Sequence, residues 1–265
     1  MRVKIASHSG FCFGVKRAIK IAEETLWRSK GKGNIYSLNP IIHNPQVVSD
    51  LSKKGLRVLR DIRKINKGAV VISSHGAPID VIDRLKKKKI KIVDATCPFV
   101  KHAHDIVKDL KARGYRVVVI GDKEHPEVRT LLSVAGKDTK SRKIGIVSQT
   151  TQSRANYIKG ISEVLKNDFS EVRIFNTICN DTAERQILTR GLLNECDVMV
   201  VVGGRNSANT RRLFDICKES GVDSYHVETK TDLKKGWFVS KKCAGVVSGT
   251  STPDSTVKRV VQKIR

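Results

Sequence analysis

Short apolar runs and helical patterns alternate along this chain from one end to the other. Val117-Val118-Val119-Ile120-Gly121 and Val198-Met199-Val200-Val201-Val202-Gly203 are continuous apolar runs that stop at glycine. Such runs predict strands buried in a parallel sheet. Helical spacing occupies the stretches between: Val15, Ala18, Ile19, Ala22 and Leu26; Val100, Ala103, Val107 and Leu110; Ala183, Ile187, Leu188 and Leu192. The last of these carries a start signal, Asp181 with Glu184 three residues on. Strands alternating with helices define the α/β class.

One arrangement occurs three times. A β-rich run, a cysteine and an amphipathic helix follow one another at Cys12, Cys97 and Cys179, at nearly equal intervals. The runs are Val3-Lys4-Ile5-Ala6, Ile90-Lys91-Ile92-Val93 and Val172-Arg173-Ile174-Phe175. No Gly/Ser-rich linker separates the units, which predicts three small α/β lobes packed around a shared centre. The expected lobes are residues 1–97, 98–179 and 180–244, with 245–265 returning to the first. The returning piece would be a strand from Cys243 to Val247 and a helix from Pro253 to Ile264.

Several strands run into polar loops that contain glycine or proline. They include Ile41-Ile42-His43-Asn44-Pro45, Ser74-His75-Gly76-Ala77-Pro78, His125-Pro126-Glu127, Gln149-Thr150-Thr151, Asn206-Ser207-Ala208-Asn209 and Ser251-Thr252-Pro253. In open parallel sheets, ligands bind beyond the carboxyl ends of the strands. Proline fixes φ, so these loops read as rigid.

Composition narrows the function. No apolar run approaches the roughly 20 residues of a spanning helix, which excludes an integral membrane protein of the helical kind. The N-terminus enters a strand without a signal-peptide core, which predicts a cytoplasmic protein. The six cysteines are then expected as thiols or metal ligands. The net charge of +25 raises nucleic acid as a partner. Yet the cations are dispersed, as in Lys86-Lys87-Lys88-Lys89, and no nucleic-acid motif is present, so no specific nucleic acid is expected. A basic surface also suits an anionic substrate or an acidic protein partner.

Cys12, Cys97 and Cys179 each stand near a helix N-terminus, where free N–H groups favour a thiolate. Cys196, Cys217 and Cys243 carry no loop motif and read as packing residues. Structural zinc wants four ligands in Cys-x-x-Cys-type pairs, which are absent. Three thiolates around an iron–sulfur cube leave one iron open as a Lewis acid. Dispersed cysteines alone leave that assignment open.

His43, His75 and His125 stand in the strand-end loops and form either a metal triad, ordinary hydrogen-bonding loop residues, or part of an anion site. Thr150, Ser207, Asn209 and Ser251 add neutral donors on similar loops, which favours phosphate or diphosphate. Glu127 is the one carboxylate in this company; in a water-poor pocket its pKa would rise and it could deliver protons. His102, His104 and His226 read as surface residues.

The ordered segments Gly10-Phe11-Cys12-Phe13-Gly14-Val15, His43-Asn44, Ser74-His75-Gly76, Asp94-Ala95-Thr96-Cys97-Pro98, His125-Pro126-Glu127, Gln149-Thr150-Thr151, Thr177-Ile178-Cys179, Asn206-Ser207-Ala208-Asn209 and Ser251-Thr252-Pro253-Asp254 resemble the IspH/LytB family. The resemblance spans almost the whole chain. It implies a pseudo-threefold trefoil of α/β lobes around a central [4Fe–4S] cluster held by Cys12, Cys97 and Cys179. It implies that His43, His75, His125, Thr150, Ser207, Ala208, Asn209 and Ser251 bind an allylic diphosphate. Ala208 stands where a serine is common, which leaves only its backbone for that role.

The resemblance further implies reductive dehydroxylation of 4-hydroxy-3-methylbut-2-enyl diphosphate to isopentenyl and dimethylallyl diphosphate. Glu127 would supply protons, relayed by Thr150. The electrons would come from an acidic ferredoxin or flavodoxin, since the chain has no flavin or nicotinamide fingerprint. Two other readings stand beside it: a three-cysteine iron–sulfur hydro-lyase, which needs no reductant, and a basic redox-sensing nucleic-acid-binding protein.

Overall fold

The computed structural model describes residues 1–29, 33–59, 61–137 and 140–265. The chain divides into two compact units. One contains residues 1–12, 43–45 and 179–265; the other contains 13–42 and 46–178.

The first unit is built on a four-stranded parallel sheet. In chain order its strands are β1 (Arg2–Ile5), β9 (Val198–Val202), β10 (Asp223–Val227) and β11 (Cys243–Ser248), laid side by side as β1-β11-β9-β10. Helices α7 (Asn180–Leu193), α8 (Ala208–Glu219) and α9 (Asp254–Ile264) cover it. The continuous apolar run of β9 is explained by its two buried faces. Val198, Val200 and Val202 pack with Val257, Val260 and Val261 of α9. Met199 and Val201 pack on the opposite side with Leu213 and Cys217 of α8. Every residue of β9 is buried, because period-two alternation sends successive side chains into two apolar layers.

The second unit carries two further parallel sheets. One has β2 (Ile35–Leu38), β3 (Leu56–Leu59), β4 (Ala69–Ile72) and β5 (Lys91–Asp94) in the order β3-β2-β4-β5. The other has β6 (Arg116–Ile120), β7 (Lys143–Ser148) and β8 (Glu171–Ile174) in sequential order. Its helices are α1 (Phe13–Arg28), α2 (Pro45–Lys53, entering from the 43–45 segment), α3 (Ile79–Lys87), α4 (Pro98–Ala112), α5 (Pro126–Ala135) and α6 (Arg154–Val164). Tyr36, Leu38, Val70, Ile72 and Leu85 form the core of the first sheet. Val107, Leu110, Leu131 and Val147 form that of the second.

The expected α/β class and the three parallel sheets are present, and each of the three cysteines follows a strand and precedes a helix. Several particulars differ from the sequence reading. Residues 2–5 do not join the sheet of residues 35–94. Arg2 pairs with Cys243 and Ile5 with Val246, so the first and last strands share a sheet with β9 and β10. β11, buried along its whole length, lies between β1 and the apolar β9. The run at 117–120 was expected to be fully buried; as the edge strand β6 it is half-buried along its length. Helix α7 starts at Asn180, and Asp181 pairs with Arg185 at 2.8 Å instead of boxing with Glu184. In the lysine run, Lys88 Nζ donates to the carbonyls of Ile62, Arg63 and Ile65, which removes it from the solvated set.

Candidate active site

In the first unit the loops that leave β1, β9 and β11 emerge at the carboxyl edge of one sheet. Cys12 lies in the first loop, and its N–H donates to the Thr250 carbonyl at 3.1 Å. Gly10, at φ +89°, makes the turn before it, and its N–H donates to Ser248 Oγ at 2.9 Å. A Cβ at Gly10 would strike the Asp254 carboxylate. Cys179 is the N-cap of α7.

Arg185, in the second turn of α7, is 3% exposed and ties these pieces together. Its guanidinium donates to Gly10 O and Ser248 O, both at 2.9 Å, and to Asp181 Oδ2 at 2.8 Å. The sequence reading missed it. The signal was the Asp181–Arg185 spacing of four, which puts both on one face of the cysteine-led helix.

The same edge carries the polar donors. Ser207 caps α8 by accepting from Thr210 N–H, and Ala208 opens that helix. Ser251 Oγ donates to the His43 carbonyl at 3.2 Å and reaches Ser207 Oγ at 3.5 Å. Gly204 is required here, since a Cβ would come within 2.7 Å of the His43 carbonyl oxygen. Burial, with the nearby Arg211 charge, lowers the pKa of His43. Asn209 is 2% exposed, and both its amide atoms are buried without a hydrogen-bond partner. A buried amide left unsatisfied is costly, and a bound anion would satisfy its N–H₂.

In the second unit, adjacent strands β4 and β5 deliver His75 and Cys97. Cys97 N–H donates to Ser74 O at 3.0 Å, and Arg17 Nη1 donates to Thr96 O at 3.0 Å. Cys97 is the N-cap of α4, with Pro98 at the first helical position. Burial pushes its thiol pKa up; the N–H groups of Phe99 and Val100, aimed at the sulfur, and the Arg17 charge pull it down, and Glu127 pushes it up. Burial wins, so the helix terminus alone does not hold Cys97 as a thiolate.

Neighbouring strands β6 and β7 deliver the remaining groups. His125 caps α5, and its Nδ1 accepts from Glu127 N–H at 3.2 Å. Neutral His125 therefore carries its proton on Nε2. The His125 and His75 rings meet edge-to-face at 5.2 Å. Glu127 is 1% exposed. Its Oε1 accepts from Thr150 N–H at 2.6 Å and its Oε2 from Thr150 Oγ1 at 2.9 Å. Burial raises its pKa to about 7, against the lowering effect of both Thr150 donors. Gln149 fixes the loop: its N–H donates to Ile120 O and its Oε1 accepts from Asp122 N–H, both at 3.0 Å.

Two histidines depart from their surface reading. His104 packs against Gly76, and burial lowers its pKa to about 4. His226 is half-buried on β10, with Nε2 2.9 Å from Gly203 O. Cys196, Cys217 and Cys243 are buried, as expected. No helix among the described residues is long and apolar enough to cross a membrane.

The parallel sheets, the helix-capping cysteines and the buried acid together have the make-up of a known α/β enzyme family. The LytB protein family model matches residues 3–265, and the chain belongs to that family. It is 44% identical to 4-hydroxy-3-methylbut-2-enyl diphosphate reductase of Syntrophotalea carbinolica, covering 100% of this chain and 98% of that one. It is 42% identical to the Aquifex aeolicus protein of the same name, over 98% and 95% of the two chains.

Two solved structures resemble it. A structure of (E)-4-hydroxy-3-methyl-but-2-enyl diphosphate reductase, the terminal enzyme of the non-mevalonate pathway, superposes with a TM-score of 0.71 at 42% identity, over 100% of this chain and 99% of that one. The Plasmodium falciparum E-1-hydroxy-2-methyl-but-2-enyl-4-diphosphate reductase superposes with a TM-score of 0.91 at 28% identity, over 98% and 87%.

Proposed function

We propose that this protein reduces 4-hydroxy-3-methylbut-2-enyl diphosphate to isopentenyl and dimethylallyl diphosphate. The observation that carries the reading is the full-length family match, joined to a buried acid, Glu127, poised near neutral pH. Cys12, Cys97 and Cys179 are the ligands for a [4Fe–4S] cluster in this reading. Two of them cap helices, and N–H groups of α4 point at the Cys97 sulfur, a donor set that suits a thiolate-bound anionic cluster. When bound, such a cluster supplies single electrons and one iron open to the substrate oxygen.

The chain's own groups do the rest. His43, His75, His125, Ser207, Asn209, Ser251 and the Ala208 N–H bind the diphosphate. Asn209 supports this most directly through its unpartnered buried amide. His125, protonated on Nε2, offers an N–H to an anion. Glu127, whose pKa burial raises to about 7, is divided between acid and carboxylate at neutral pH, and its acid form passes a proton through the Thr150 hydroxyl toward the leaving oxygen. Burial excludes bulk water from this pair. The electron donor is an acidic ferredoxin or flavodoxin attracted by the basic surface, and the site of action is the cytoplasm. Phe13 and Phe99, 65% and 41% exposed beside Cys12 and Cys97 in sequence, offer apolar contact for it.

Anaerobic protein with analysed iron and sulfide, given this diphosphate and dithionite with a viologen mediator, should form both products. Turnover of a hydroxy acid without reductant would favour a hydro-lyase instead. Salt-sensitive DNA binding with no turnover would overturn the enzymatic reading.

A further inference from the structure

Cys196 and Cys243 take no part in the site above, yet their sulfurs lie 3.1 Å apart. That is about 1 Å beyond the length of a disulfide bond. Both side chains are buried, at 6% and 2% exposure. The backbone holds them in place. Asp197 N–H donates to Cys243 O at 2.9 Å, and Asp197 Oδ2 accepts from Lys242 N–H at 2.7 Å and Cys243 N–H at 2.9 Å. Three hydrogen bonds thus tie the backbone beside Cys196 to that of Cys243. Gly245, two residues along β11, keeps the space beside Cys196 open; a Cβ there would come within 3.3 Å of its sulfur.

A cation completes the arrangement. Arg2 pairs with Cys243 across the β1–β11 register, and the Cys243 sulfur near its guanidinium raises the Arg2 pKa. Arg2 itself is exposed, so it links the buried pair to solvent. The thiolate is the form of a cysteine that reacts, and a cation nearby offsets the charge it carries. Cys217 lies in the core with Leu213 and Val201, away from this pair, and burial pushes its thiol and that of Cys196 up to about 12 alike.

We propose that Cys196 and Cys243 are a dithiol that peroxide closes to a disulfide, a reversible oxidation site distinct from the proposed cluster ligands. The Cys243 thiolate attacks one peroxide oxygen, giving a sulfenic acid and hydroxide. The Cys196 sulfur then attacks the sulfenic sulfur, the S–O bond breaks, and a second hydroxide leaves. The two thiol protons convert both hydroxides to water; two sulfurs lose two electrons and the peroxide gains them. A low-molecular-weight dithiol reverses the step by exchange. The bond joins the starts of β9 and β11, the two strands whose far ends lead to Ser207 and Ser251. In a reducing compartment the bond would form transiently, during oxidative stress.

The test uses the whole protein, treated with hydrogen peroxide, blocked with iodoacetamide and cut with trypsin. The expected product is a cross-link between peptides 191–205 and 243–258, each with a single cysteine, lost on dithiothreitol. The thermal midpoint should rise by several degrees on oxidation and return on reduction, and it should not respond in Cys243→Ala. Arg2→Gln should form the same cross-link several-fold more slowly. Recovery of both peptides separately alkylated, or over-oxidised without a cross-link, at peroxide levels that consume the other thiols would overturn the proposal. The peptide result on unmodified protein decides the matter even if the alanine variant fails to fold, and it does not depend on the catalytic reading.

Discussion

Glu127 and Thr150 are joined twice, through the Thr150 backbone N–H at 2.6 Å and its hydroxyl at 2.9 Å. The strands β6 and β7 that present them are neighbours, so a buried carboxyl and its relay are fixed by sheet register. Both donors favour the charged carboxylate, and burial opposes them and wins.

Stability should depend on pH through Glu127. Its pKa is about 7 in the folded protein against an ordinary 4.5. Below 4.5 it is protonated in both folded and unfolded chains and contributes nothing. As pH rises from 4.5 to 7 the unfolded chain gives up its proton while the folded chain keeps it. Stability therefore falls across that window, by about 3 kcal/mol in total. Glu127→Gln lacks this loss, so its advantage over the parent should grow between pH 4.5 and 8. Urea unfolding at both ends of the range measures it; a constant difference would sink the assignment. The same variant should bind substrate and turn over poorly.

Thr150→Val removes the hydroxyl donor and keeps the backbone one. The carboxyl pKa should then move above its present value, since the lost bond favoured the charged form. Turnover should fall by about tenfold. The pH–rate profile is the discriminating readout: its basic limb should shift to higher pH. An unmoved limb with reduced rate would assign Thr150 to packing.

Asn209→Ala should separate affinity from stability. The buried amide lacks partners, so its removal should leave the melting temperature unchanged or slightly higher. KM for the diphosphate should rise by about tenfold, the loss of one hydrogen bond to a charged group. A lower melting temperature with unchanged KM would place Asn209 in the scaffold.

Arg185→Met should disturb the Cys12 loop without touching a cysteine. It breaks three hydrogen bonds of a guanidinium that is 3% exposed. The expected cost is about 3 kcal/mol. Iron content after reconstitution should fall along with the melting temperature. Full iron retention would show that the loop holds its shape without Arg185.

Cys97→Ser should bleach the brown anaerobic protein, whereas Cys217→Ala should keep its colour. Cys217 is fully buried in the apolar core, so its truncation costs about 1 kcal/mol of packing and no cluster. Equal spectra for the two variants would remove Cys97 from the ligand set.

The sequence by itself determined the α/β class, the strand–Cys–helix arrangement and the loops that carry the polar residues. Those features are local: a buried parallel strand is a continuous apolar run, and a helix is a period of 3.6, whatever surrounds them. Which strands share a sheet was not local. Residues 2–5 pair with 243–246, at opposite ends of the chain, and nothing in either segment names the other. The tertiary structure also decided which polar residues are buried. His104 read as a surface residue and Arg185 drew no reading at all, because their contacts, Gly76 for the one and Gly10 and Ser248 for the other, lie far off in sequence. The pKa of Glu127 and the meeting of Cys196 with Cys243 belong to the same class, since burial and sulfur–sulfur distance exist only once distant segments pack together.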